Sequence, residues 1–273
     1  MLAPLDNETI FKRVFTDKEI FQQFIKDLFN IDILVDKIET EKQFEPPIAN
    51  IDFKLDIYAE TTDHRFLIEI QKIDYDYNFN RFLGYFLSLL IQQQKKASQY
   101  AVPQTVLGIV VLTRPYKISQ LTGEPIQESI MSIDFDPRNL KDQRISLWKH
   151  QLLFLNPNPL YMADDIPSNY QDWLDLFRVS IDQNINIILN LNNKGIAKAS
   201  GLIEYENLDP KTNYEMKISE EKKAMISILE NEKASEIAIR MIQANESIEK
   251  IVKYTDLDPA TIEKLINQLN YKH

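Results

Sequence analysis

The chain has 273 residues, 44% of them hydrophobic and only five glycines, which suits one large folded domain, or one domain with a small appendage, and not a disordered tail. It has no cysteine, which excludes disulfides, thiolate metal sites and cysteine nucleophiles. Its histidines, His64, His150 and His273, are too scattered to suggest a zinc cluster or a Ser-His-Asp triad, and a net charge of −10 argues against strong non-specific attraction to nucleic acid.

In chain order, residues 7 to 30 carry apolar positions at three- and four-residue intervals, Ile10, Phe11, Val14, Phe15, Ile20, Phe21, Phe24, Ile25 and Leu28, and read as helix with a break near Asp17. Ile31 to Phe44 has short β-type runs that end at Pro46-Pro47. Two alternating segments follow, Phe53 to Tyr58 and Phe66 to Gln71, joined by the polar stretch Glu60 to Arg65. Residues 78 to 101 predict a long helix with Phe79, Phe82, Leu83, Phe86, Leu89, Leu90 and Ile91 inward, and Gln92 to Lys96 polar. Thr105 to Thr113 is apolar on both faces, as a central strand should be, and strand-helix-strand in this order implies a parallel crossover. Residues 114 to 142 hold Pro115, Pro125 and Pro137 around a strand at Ile130 to Phe135, and Arg144 to Leu155 gives another strand. Beyond the loop Asn156-Pro157-Asn158-Pro159 the sequence turns helical: Ser168 to Ser180 with Ser168 as cap, Asp182 to Ala199, a charged helix from Lys217 to Ala244, and two short helices within Ser247 to Leu269 with Asp258 as cap. The start MLAPLDNETIF has no basic-then-apolar leader, and no stretch approaches the roughly 18 apolar residues that span a bilayer, so a soluble, cytoplasmic protein without membrane contact is expected.

The hairpin carries the chemistry. Pairing symmetric about its turn puts Asp56 opposite Glu69, on what alternation makes the polar face, with Gln71 beside them. Like charges directly opposite destabilise a sheet, so the pair implies a cation between the carboxylates, a shared proton or a basic partner. A hard divalent ion with oxygen ligands, such as Mg²⁺ with Mn²⁺ as substitute, fits this donor set best. Gln71 has no titratable proton near neutrality, so it would position water or substrate and not act as base.

The Asp, then Glu-x-Gln, on adjacent strands resembles the PD-(D/E)XK nuclease superfamily, and more narrowly its transposase-like, recombination-promoting branch, in which Glu-x-Gln commonly replaces Glu-x-Lys. Glu8-Thr9-Ile10-Phe11-Lys12-Arg13-Val14-Phe15 resembles that branch's first helix, with Glu8 where Asp is usual. Asn80-Arg81-Phe82-Leu83-Gly84-Tyr85-Phe86 resembles its helix after the metal strands, and Val106 to Leu112 the buried strand that follows. The likeness covers residues 5 to 115 well and the rest loosely. It implies an α/β fold with a restriction-endonuclease-like core, a mixed central sheet flanked by helices, over residues 1 to 160, and a helical region over 161 to 273 that ends in a small helical hairpin. It implies Mg²⁺-dependent endonucleolytic cleavage of DNA, with Asp56, Glu69 and Gln71 catalytic, Asp56, Glu69 and Glu8 as metal ligands, and Lys12, Lys54 and Arg81 on substrate phosphate. On an acidic chain such contact needs the metal and a local basic rim.

Each of these residues also has an ordinary role open to it. Glu8 suits the helix dipole, Lys54 can merely neutralise the acidic cluster, Lys72 points to the opposite face unless a bulge intervenes, and Arg81, four residues from Tyr85, can pair with Asp74 or Asp76. In the last hairpin Glu246, Glu249, Asp256, Asp258 and Glu263 outnumber Lys250, Lys253 and Lys264, which favours packing or a protein partner over the DNA groove. Two rival functions stay open: a nuclease-derived binding or scaffold protein that no longer cuts, and a metal phosphohydrolase acting on small phosphate esters. A homodimer is a further open alternative, since enzymes that cut both strands often work in pairs.

Overall fold

A computed structural model describes residues 1–44, 53–72, 79–94, 101–114, 126, 128–161, 165–255 and 257–270. Pro46-Pro47, Asp74, Asp76, Pro115, Pro125, the expected helix tail 95–100, Asp256 and His273 lie outside the described residues. The chain divides into two compact units, Met1–Asn213 and Tyr214–His273, so the boundary expected after residue 160 runs inside the first.

The predicted break at Asp17 is a double cap. Asn7 accepts the Thr9 N–H and opens α1 (Glu8–Phe15), and Asp17 accepts the N–H groups of Glu19 and Ile20 and opens α2 (Lys18–Phe29). A six-stranded mixed sheet follows, built from β1 (Ile38–Phe44), β2 (Phe53–Glu60), β3 (His64–Gln71), β4 (Thr105–Leu112), β5 (Ile130–Asp134) and β6 (Gln151–Leu155), with α3 (Phe79–Ile91) between β3 and β4. The strand order is β1-β2-β3-β4-β6-β5. β3, β4 and β6 run parallel, and β1, β2 and β5 join antiparallel to their neighbours.

Helices cover the sheet on both faces. Phe82, Phe86 and Leu89 of α3 pack with Leu67, Val106, Val110, Leu152 and Phe154. On the α2 side, Phe21 meets Phe66 edge-on at 5.7 Å. Gly108 lets the sheet pack closely under α3: a Cβ there would lie 2.6 Å from Leu152 Cδ1 and 3.2 Å from Phe86, so the Leu152 side chain would have to shift.

Two helices beyond residue 160, α4 (Ser168–Ile181) and α5 (Lys194–Leu202), pack against α2 within the first unit. Trp173 and Phe177 of α4 lie against Phe15 at 6.1 and 6.0 Å, and Trp173 meets Phe24 at 4.7 Å. Asp27 on α2 ties the group together, accepting from Gln23 at 2.7 Å, Trp173 Nε1 at 2.8 Å and Asn193 Nδ2 at 2.9 Å.

Four helix limits and one strand limit differ from expectation: α3 ends at Ile91, with 92–94 and 101 non-helical, and the strand expected over Arg144 to Leu155 is only β6. Pro167 holds the N-cap of α4 without a side-chain cap, which makes Ser168 its first helical residue and not its cap. The helix expected over Asp182 to Ala199 is only α5 (Lys194–Leu202), because asparagine and aspartate side chains bond nearby backbone instead: Asp182 accepts the Asn184 N–H, and Asn190 the Asn192 N–H. The long charged helix, α6 (Pro210–Gln243), starts a full turn and more earlier than Lys217, since Asp209 accepts the Thr212 N–H and Pro210 suits the first helical position.

In the second unit Ala238, Ile251, Leu257 and Ile262 form a small core among the end of α6, α7 (Ile248–Thr255) and α8 (Pro259–Asn270). Asp258 accepts the Thr261 N–H at 2.9 Å, as its cap position requires. No helix among the described residues is long and apolar enough to cross a membrane.

Candidate functional site

The β2-β3 register is the one that turn symmetry predicts, with Glu60 opposite Arg65, Tyr58 opposite Leu67 and Ile57 opposite Ile68. There the Cα pairing stops and side chains replace it. The Asp56 N–H donates to Glu69 Oε1 at 2.9 Å, and the Ile70 N–H donates to Asp56 Oδ2 at 3.1 Å. Each carboxylate is therefore pinned by the other's strand. Among the described residues, the second oxygen of each accepts no hydrogen bond.

Burial corrects one expectation. Glu69 was placed by alternation on a polar face, yet it is only 2% exposed. Alternation holds, but Leu67, two residues earlier on the same face, already packs in the α3 core, so that face is covered too. Burial accordingly pushes the Glu69 carboxyl well above the usual carboxylate range, the Asp56 charge adds to the rise, and the Asp56 N–H, Arg81 and Lys12 offset part of it. Asp56 is also raised, by burial first and by the Glu8 charge, against the Ile70 N–H, Lys12 and Arg81.

Around this pair stand the other expected residues. On α3, Arg81 Nε donates to Tyr85 Oη at 2.8 Å and Arg81 Nη1 to Gln71 Oε1 at 3.3 Å, which orients the Gln71 amide, two residues beyond Glu69 on β3. Lys12 of α1 bonds Glu8 at 2.5 Å and Glu41 of β1 at 2.9 Å, and Lys54 of β2 bonds the other Glu41 oxygen at 3.0 Å. Burial alone would lower the Lys12 pKa, but the bonds to Glu8 and Glu41 outweigh it and hold it above the ordinary lysine value. The same two lysines bring Glu41 down to about 2. Lys72 turns away to Asp6 at 2.7 Å.

Glu41 is the residue that sequence reasoning missed. In Glu39-Thr40-Glu41-Lys42-Gln43 it is one charge in an alternating strand, and nothing local marks it. Its φ of 54° is left-handed, and it falls where β1-β2 pairing skips from Thr40↔Ile57 to Lys42↔Leu55. Such a backbone costs about 1 kcal/mol or more for a residue with a Cβ.

The donor set suits a hard divalent cation, which would favour the ionised form of both groups: the carboxyls of buried Glu69 and half-buried Asp56, each with one oxygen fixed by a backbone N–H. Glu8, the expected third ligand, is engaged by Lys12 and reaches Asp56 through its charge; among the described residues no three His, Asp or Glu side chains stand together as a ligand group. Compared with protein-family models and with curated proteins, the chain matches none.

Proposed function

We propose that this protein is a Mg²⁺-dependent endonuclease that hydrolyses phosphodiester bonds in DNA, of the recombination-promoting type that its motifs resemble. The reading rests on one observation, the pair of buried Glu69 and half-buried Asp56, bound crosswise to the opposite strands. Two carboxylates with raised pKa values are costly to a fold, and a cation shared between them is the direct compensation. Asp56 and Glu69 would hold it. When bound, the cation supplies a lowered pKa for water and neutralises charge on the phosphoryl group. Gln71, oriented by Arg81, would hold the attacking water or a phosphate oxygen. Arg81, braced by Tyr85, and Lys12 would place positive charge against the scissile phosphate. Mn²⁺ would substitute for Mg²⁺.

A second reading, a nuclease-derived binding protein that no longer cuts, is favoured by the two-carboxylate set, in which Glu8 is held by Lys12. Relaxation of supercoiled plasmid in Mg²⁺, against an Asp56→Ala control, separates the two. Cleavage that falls by about 10²–10³-fold or more in the variant supports the nuclease. Absence of cleavage together with calorimetric Mn²⁺ binding unchanged by Asp56→Ala and Glu69→Ala leaves the binding protein.

A further inference from the structure

We propose that Glu41 is an internal stand-in for nucleic-acid phosphate, a latch whose carboxylate occupies the anion site between Lys12 and Lys54 until a strand displaces it. This deepens the nuclease reading and rests on it for the class of ligand.

The two Glu41 oxygens contact the two lysines separately, Oε1 to Lys12 at 2.9 Å and Oε2 to Lys54 at 3.0 Å. A phosphodiester likewise presents two anionic oxygens on one atom, so the same two ammonium groups can bridge it. The lysines come from different elements, α1 and β2, and sequence alone gives them no reason to converge. Their place is next to the chemistry: Lys12 acts by its charge on both Asp56 and Glu69, and Lys54 lies two residues before Asp56 on β2.

The latch is also built to open. The Lys12 side chain is 16% exposed and stays anchored by Glu8, whereas the Glu41 side chain is 51% exposed and can swing into solvent without unpacking a core. Its left-handed backbone, in a gap of the β1-β2 pairing, needs no hydrophobic contact to be released. Displacement leaves two lysines facing one phosphate, which supplies the local basic rim that a chain of net charge −10 otherwise lacks.

The test is anisotropy of a short fluorescent DNA duplex with the full chain in EDTA, over a series of salt concentrations. Glu41→Gln should bind about tenfold tighter than wild type at each salt concentration, with a similar log–log salt slope, since both complexes bring Lys12 and Lys54 to the same phosphate and only the competing carboxylate is gone. Glu41→Asn, a side chain that tolerates left-handed backbone, should reproduce the gain and guards against misfolding. Adding Lys54→Gln should remove it, and Glu263→Gln, an equal charge change on α8, should not produce it. Equal affinity in wild type and Glu41→Gln, a gain that survives Lys54→Gln, or no duplex binding by any variant overturns the latch. Since no metal or cleavage enters, a failed Mg²⁺ titration of the carboxylates would sink the hydrolytic reading while leaving this result intact.

Discussion

At residue scale the decisive tension is at Glu69, a carboxylate that is 2% exposed next to a second carboxylate. Its raised pKa means the folded chain holds a proton that the unfolded chain releases. Stability from this group is therefore greatest at low pH. It declines as pH rises past the unfolded carboxylate value, and the loss is complete above the folded pKa. Glu69→Gln removes the charge, while its amide oxygen can still accept the Asp56 N–H. In EDTA near pH 8 the variant should be more stable than wild type by about 1–2 kcal/mol, and its melting temperature should depend less on pH. Saturating Mn²⁺ should reverse the order, raising the wild type and not the variant. Thermal melts with and without metal measure both. A Glu69→Gln protein less stable than wild type in EDTA would mean that the carboxylate serves the fold and not a cation.

At the scale of elements, Asp27 links α2 to α4 and to the cap of α5, beside the Phe24–Trp173 packing and the Lys198 ion pairs with Asp17 and Glu19. Asp27 accepts from Trp173 and Asn193, and its backbone carbonyl accepts from Asn169. Asp27→Ala leaves the buried Trp173 N–H unpaired and should cost about 1–3 kcal/mol in denaturant unfolding, against a much smaller effect for Asp32→Ala on the exposed loop. An equal cost at the two positions would show that the junction is held by aromatic packing alone. Much of this architecture is legible because its signals are local: the break at Asp17, the cap at Asp258, the apolar run of β4, and the turn symmetry behind the β2-β3 register. What was not legible depends on partners distant in sequence. Alternation in β3 separated Glu69 from the apolar stripe, but it could not show that α3 covers its face as well. The helix predicted over Ser168 to Ser180 carries no local sign that Trp173 and Phe177 lie against Phe15, and Glu41 acquires its role only when α1 and β2 bring two lysines to it. In residues 182–193, Asx bonding within the chain overrode an apolar pattern that had suggested helix.

At the scale of the whole molecule the question is how much chain the candidate site needs. A division at residue 160 would leave Phe11, Phe15 and Phe24 without the rings of Trp173 and Phe177 that cover them. Losing a buried Phe or Trp side chain costs about 3–5 kcal/mol each. Two such losses take about 6–10 kcal/mol from a total stability that is ordinarily about 5–15 kcal/mol, before the Asp27 bonds are counted. A chain of residues 1–160 should therefore fail to fold cooperatively. One ending at Asn213 keeps α4, α5 and the ion pair of Arg13 with Asp209 at 2.9 Å, and should fold by itself. It should also retain whatever divalent-ion affinity the full chain has, since Asp56, Glu69, Gln71 and Arg81 all lie within it. Circular dichroism melts and Mn²⁺ calorimetry on the two truncated chains decide the point. A cooperative transition in 1–160 would place the domain boundary at the end of β6, and an unfolded 1–213 would mean that residues beyond Asn213 stabilise the sheet unit. The chain of residues 1–213 also offers a way to examine the site apart from Tyr214–His273, which carries the acidic residues Glu246, Glu249, Asp256, Asp258 and Glu263. If those charges repel DNA, 1–213 should bind the duplex more tightly than the full chain at low salt, with the difference shrinking as ionic strength rises.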